Sequence, residues 1–139
     1  ATTRPRLLLD PEVALPQIVD DGVLARDTAL VGLDASGAET VDGLKYTRYV
    51  PGTTPHSIRE QGADVAKMLW YTRPDKQDAD SRVAHEIRDL VTACDEEGLL
   101  LIVELLTYQL EGESDEEYQA KFADLVVDGA ALAVACGAK

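Results

Sequence analysis

The stretch Gly62-Ala63-Asp64-Val65-Ala66-Lys67-Met68-Leu69-Trp70-Tyr71 constrains the chain most. It reads as a strand that is apolar on both faces, the kind found in parallel sheets covered by helices. Val65, Lys67, Leu69 and Tyr71 share one side, and Ala66, Met68 and Trp70 share the other. Lys67 therefore carries an ammonium into an apolar run, where an unpaired charge is costly. Lysines in such settings have a carboxylate nearby or a depressed pKa. Two readings follow, a structural ion pair and a functional site, and the rest of the chain has to separate them.

Three other apolar runs read as strands. Arg6-Leu7-Leu8-Leu9-Asp10 ends in an acid, and Pro11 behind it suits a first helical position with Asp10 as cap. Thr28-Ala29-Leu30-Val31-Gly32-Leu33-Asp34 also ends in an acid. Leu99 to Leu106 is apolar except for Glu104. Between the second run and the Lys67 strand, Ala35 to Pro55 is rich in Gly, Thr, Pro and isolated charges and reads as a long loop. Thr54-Pro55 then opens a short helix that ends at Gly62. Val83, Ile87, Leu90, Val91 and Cys94 form the stripe of an amphipathic helix stopping at Gly98. Ser114 and Glu117 form a capping-box pattern for a last helix. Its inward face is expected to carry Tyr118, Phe122, Leu125, Val126, Ala130 and Ala133. Strands alternating with helices give an α/β fold with a parallel sheet.

The location of the polar residues adds to this. Asp10, Asp34 and Glu104 lie at or near the C-terminal ends of their strands, Lys67 lies within its strand, and Arg73 follows just beyond. In parallel sheets and barrels that edge binds ligands and does the chemistry. One acid there is ordinary helix capping. Four strands contributing ionisable groups to one edge point to a shared site.

The 139 residues suffice for one domain with a core, and the 45% hydrophobic share is that of a globular protein. A net charge of −13 argues against nucleic acid or an anionic membrane as partner, since both require clustered positive charge. No apolar run approaches the ~18 residues of a membrane span. Leu7-Leu8-Leu9 is too short for a signal peptide, so a cytoplasmic location is expected. Cys94 and Cys136 lack metal-ligand spacing and read as free thiols, and His56 and His85 are far apart, so neither a metal nor another cofactor is expected.

Leu8-Leu9-Asp10-Pro11-Glu12, with Leu15-Pro16 after it, resembles the second strand of the tagatose-1,6-bisphosphate aldolase family. Arg59 to Lys67, running on to Tyr71, resembles that family's fourth strand. Ile102-Val103-Glu104 with Thr107-Tyr108 resembles its fifth. The related sulfosugar-phosphate aldolases show a similar fourth strand, followed by Trp, Arg and Asp in the loop, and a similar Gly-Leu-Leu entry to the fifth.

The resemblance implies a (β/α)8 TIM barrel and metal-free, class I aldol cleavage of a ketose phosphate. In the family a sixth-strand lysine forms the Schiff base. The fourth-strand lysine, matching Lys67, lies beside it, and the fifth-strand glutamate, matching Glu104, is placed for proton transfer. Lys67 and Glu104 are thus the expected catalytic residues. Asp10, Asp34 and Arg73 are expected to bind substrate, with Lys45 and Arg48 as further phosphate candidates. A full barrel needs about 250 residues. The segment therefore corresponds to roughly strands two to five, as a partial barrel domain over residues 1–139. The first strand is expected before Ala1 and the sixth just after Lys139, which stands where the family has an Asp and is not the Schiff-base lysine. The expected partners are a sugar-phosphate substrate and either the remainder of the barrel or further copies in a homo-oligomer. A non-catalytic half-barrel with a structural or phosphosugar-binding role is the alternative, as is a Schiff-base barrel enzyme acting on an unphosphorylated keto acid.

Overall fold

The computed structural model describes residues 6–22 and 29–139. Thr28, the expected start of the second strand, lies outside the described residues. The elements in chain order are β1 (Leu7–Leu9), α1 (Ala14–Asp20), β2 (Ala29–Gly32), β3 (Asp34–Val41), β4 (Leu44–Tyr49), α2 (Pro55–Glu60), β5 (Val65–Tyr71), α3 (Arg82–Glu97), β6 (Leu100–Leu106) and α4 (Asp115–Ala135).

The four apolar runs form one parallel sheet in the order β1-β2-β5-β6. This is the architecture of part of an α/β barrel of the TIM type, with strands alternating with helices and each sheet strand parallel to its neighbour. The register aligns Leu8, Leu30, Val65 and Leu100 in one row and Gly32, Lys67 and Ile102 in the next on the same face.

Strand β5 owes its place to its parity. Ala66, Met68 and Trp70 are completely buried on the helix-covered face. Burying the Met68 and Trp70 side chains contributes about 1.5–3 kcal/mol each. The Trp70 Nε1–H, which would be costly to bury unpaired, donates to the Val83 carbonyl at 3.1 Å and so fixes the first turn of α3 against the sheet. Helix α3 presents Val83, Ala84, Ile87 and Cys94 to the core. It stops where Gly98 takes φ = 66°, a conformation that costs a residue with a Cβ. Burial pushes the Cys94 thiol up to about 11, and both cysteines are free and buried.

Two expectations are corrected here. The segment from Ala35 to Pro55 is not a loop but carries the antiparallel hairpin β3–β4. Its turn is Asp42-Gly43, with φ of 51° and 78°, the paired positive values that match the twist of a tight hairpin. The hairpin leaves the end of β2 and packs Tyr46 and Tyr49 against the cluster around Met68 and Trp70. Thr47 Oγ1 donates to the Leu69 carbonyl, and Val50 N–H donates to the Leu33 carbonyl at 3.0 Å.

The second correction concerns α4. Its capping box is present, with Ser114 and Glu117 each accepting from the other's backbone N–H. Leu125 and Ala133 are buried as expected, but the face between them runs through Gly129, while Phe122 is 43% exposed and Ala130 lies outside. The reason is close approach. A Cβ built on Gly129 would stand 2.9 Å from Leu105 Cδ1 and 3.2 Å from Thr72 Cγ2. The missing side chain at Gly129 lets the helix come down onto β6, and a search for apolar side chains passes over a glycine.

The helices cover one face of the sheet. On the other, Leu8 and Leu100 are each 60% exposed and Ile102 is 38% exposed. Among the described residues no helix is long and apolar enough to cross a membrane.

Candidate active site

The uncovered face carries charge at its C-terminal edge. Strand β2 ends at Gly32, and Leu33 N–H still donates to the Lys67 carbonyl at 2.8 Å. The chain then turns away into the hairpin. At the next position of the seam the Leu69 N–H donates to Asp34 Oδ1 at 3.0 Å, so a carboxylate replaces the strand carbonyl that would have accepted it. That bond pins Asp34 beside β5, and its Oδ1 lies 3.8 Å from Lys67 Nζ.

On the other side of β5, Lys67 pairs with Ile102 and Leu69 with Glu104. Glu104 therefore stands one pleat nearer the C-terminal edge than Lys67, on the same face. Its Oε2 is 2.7 Å from Lys67 Nζ. The Lys67 and Asp34 side chains are only 14% and 12% exposed, whereas that of Glu104 is 52% exposed. The ammonium is thus held between an enclosed carboxylate and one whose free edge looks out of the sheet. Attraction to both offsets the desolvation of the cation. A close ion pair between an amine and an open carboxylate can relay a proton to a molecule placed on that face.

The other expected site residues are placed differently. Asp10 follows β1, but its carboxylate accepts from the N–H groups of Glu12 at 3.1 Å, Val13 at 2.7 Å and Ala14 at 3.2 Å. The Val13 bond is the main reason its carboxyl lies below the usual range, ahead of the opposing effect of desolvation. Its oxygens serve the turn into α1, and a substrate would have to compete with that turn.

Arg73, expected to bind substrate, faces inward and is completely buried. Its Nε and Nη2 donate to the two oxygens of Asp75, each at 2.8 Å. Its Nη1 donates to the Tyr108 carbonyl and to Glu113 Oε2, each at 2.8 Å, and Nη2 reaches Glu113 Oε1 at 3.2 Å. A guanidinium has five N–H donors, and these bonds use all of them. No donor remains for a phosphate, which corrects the expectation. The bond to Asp75 is the main cause of the raised Arg73 pKa, and the guanidinium beside Glu113 holds that carboxyl well below the usual range. Lys121 Nζ also reaches Glu113, at 2.7 Å.

Lys45 and Arg48 belong to the hairpin. The Lys45 ammonium lies 5.3 Å from the centre of the Tyr108 ring, and Arg48 Nη1 donates to the Ser36 carbonyl at 3.2 Å. Two residues named in the sequence reading without a role at this edge, Tyr71 and Tyr108, meet there. Tyr71 shares the face of Lys67 at the end of β5, and Tyr108 meets it edge to face at 6.5 Å. Glu113 went unnoticed, because it is 40 positions from its partner Arg73 and no local pattern links them.

The arrangement as a whole is a lysine paired with a glutamate on the next strand, at the C-terminal edge of a parallel sheet. No curated protein sequence matches the chain. The family model described as DeoC/LacD family aldolase matches residues 14–138, which spans the segment from α1 through α4 and includes Asp34, Lys67 and Glu104. With most of its length covered by that match, the chain belongs to the DeoC/LacD family of aldolases.

Proposed function

We propose that residues 1–139 form part of a (β/α)8 barrel whose complete polypeptide is a class I aldolase. It cleaves a ketose phosphate or bisphosphate, of the tagatose-bisphosphate or sulfosugar-phosphate kind, to dihydroxyacetone phosphate and an aldehyde. The observation that carries this reading is the 2.7 Å contact between Lys67 Nζ and a half-exposed Glu104 on the uncovered face. An ion pair this open to water adds little to stability, which favours a functional over a purely structural role for Glu104.

In this reading the nucleophilic lysine lies beyond Lys139. Its neutral amine adds to the substrate carbonyl, and the resulting carbinolamine loses water to give an iminium. The C–C bond next to the hydroxyl-bearing carbon then breaks. Its electron pair enters the iminium as an enamine, and the hydroxyl proton passes to a base as the aldehyde leaves. Protonation of the enamine carbon and hydrolysis of the imine release dihydroxyacetone phosphate and restore the amine. Glu104 is the acid/base for these proton transfers. The Lys67 ammonium favours the neutral form of the nearby nucleophile and donates a hydrogen bond to the carbinolamine oxygen. Asp34 fixes Lys67 and also faces substrate.

The test is kinetic. Release of dihydroxyacetone phosphate from ketose 1,6-bisphosphates is measured for the complete polypeptide and for Lys67→Ala and Glu104→Gln. Cleavage that falls in both variants while thermal stability holds in Glu104→Gln supports the reading. Absence of cleavage of any ketose phosphate by the unaltered protein overturns it.

A further inference from the structure

We propose that Arg73 is a positioning residue that couples the β3–β4 hairpin to the rim above Lys67. The link runs through Tyr108. Its carbonyl accepts from Arg73 Nη1, while its hydroxyl, at the opposite end of the residue, accepts from the Lys45 N–H at 2.8 Å. Between those two bonds the ring carries the Lys45 ammonium on its face and meets Tyr71, which shares the face of Lys67. One guanidinium thus joins the loop after β5, through Asp75, to the loop after β6, through Tyr108 and Glu113. Tyr108 extends that join to the hairpin.

The chemistry favours a fixed clamp over a binding group. Arg73 and Lys121 face Asp75 and Glu113, so the cluster is neutral within itself and a phosphate would have to displace a carboxylate that is already bidentate. Lysine cannot replace the arginine here, since a single ammonium has three donors and no planar fork. None of these groups touches Lys67 or Glu104 in an ion pair. Loosening the clamp therefore disturbs how substrate is held at the rim more than the proton transfers below it.

The kinetic half of this proposal rests on the aldolase reading, and the structural half does not. Hydrogen exchange read by mass spectrometry on the complete polypeptide compares the unaltered protein with Arg73→Lys, Arg73→Gln and Tyr108→Phe. The expected result is faster exchange, by about tenfold for one lost hydrogen bond, at the Lys45 amide and along β4 in all three variants. Tyr108→Phe removes only the hydroxyl, so in it the segment 107–114 stays protected, and it serves even where the Arg73 variants fold poorly. Exchange that quickens only within 72–77 and 107–114 overturns the proposal and makes Arg73 a local tie. In aldol cleavage, KM for the ketose bisphosphate should rise by about tenfold in Arg73→Lys with kcat nearly unchanged. A fall in kcat at constant KM also overturns it. If the unaltered protein cleaves no ketose phosphate, the aldolase reading fails while the exchange data still decide the coupling.

Discussion

Lys67 and Glu104 stand on adjacent parallel strands, one pleat apart, with their charged ends 2.7 Å from each other on the face that no helix among the described residues covers. The strand periodicity brings them there. Met68 and Trp70 are committed to the core, so Lys67 must point the other way. Replacing Lys67 with Ala or Glu104 with Gln should lower turnover of the complete polypeptide by about 10²–10⁴-fold, the usual worth of a positioned acid or base. Melting temperature should change little in Glu104→Gln, because Glu104 is half exposed and its ion pair is open to water. Turnover and stability falling together in both variants would return the pair to a structural role.

The uncovered face leads to a second expectation. Leu8 and Leu100 expose 60% of their surface and Ile102 38%, and β1 and β6 are the outer strands of their sheet. Apolar patches and unpaired strand edges drive association. Residues 1–139 on their own should therefore self-associate or aggregate. Sedimentation and calorimetry check this, and a monodisperse monomer with one cooperative transition would contradict the partial-barrel domain.

A third expectation concerns pH. Burial pushes the Glu86 carboxyl up to about 7, against the opposing effect of Arg82, while Tyr49 and Glu39 also face it. A side-chain oxygen of Glu86 and the Tyr49 hydroxyl are buried without a hydrogen-bond partner. An acid whose folded pKa lies above its unfolded value of 4.5 binds more protons when folded. Its effect is absent below about 4.5, and stability then falls as pH rises through about 7, by at most about 3 kcal/mol. Glu86→Gln should flatten that decline and raise the melting temperature at pH 8 relative to the unaltered protein. Thermal melts between pH 5 and 8 check this, and parallel curves for the two proteins would contradict it.

The parallel sheet and the Lys67–Glu104 pair were legible because each depends on a local pattern. The parity of Val65 to Tyr71 and of Leu100 to Leu106 survives in any sheet that buries one face. The capping box at Ser114 is local too, and so is the helix start at Thr54-Pro55, where the structure adds a capping box closed by Ser57. The hairpin was missed because β3 is largely exposed and shows little alternation, which left Asp42-Gly43 as its one strong signal. The fate of Arg73 depends on Glu113, brought near only by folding, so an arginine at a ligand-binding edge reads as a ligand residue until its five donors are counted. Gly129 was hidden for a third reason, since close helix–sheet contact there selects a residue without a side chain over a large apolar one.

The most direct test of the class I account is borohydride reduction of the complete polypeptide with dihydroxyacetone phosphate, followed by mass mapping of the modified peptide. One reduced adduct is expected, on a lysine that follows Lys139 in the chain, with none on Lys67 and no effect of a chelator on its yield. An adduct on Lys67 would exchange the roles assigned to the two lysines. No adduct at all, with turnover that a chelator abolishes, would contradict the Schiff-base mechanism.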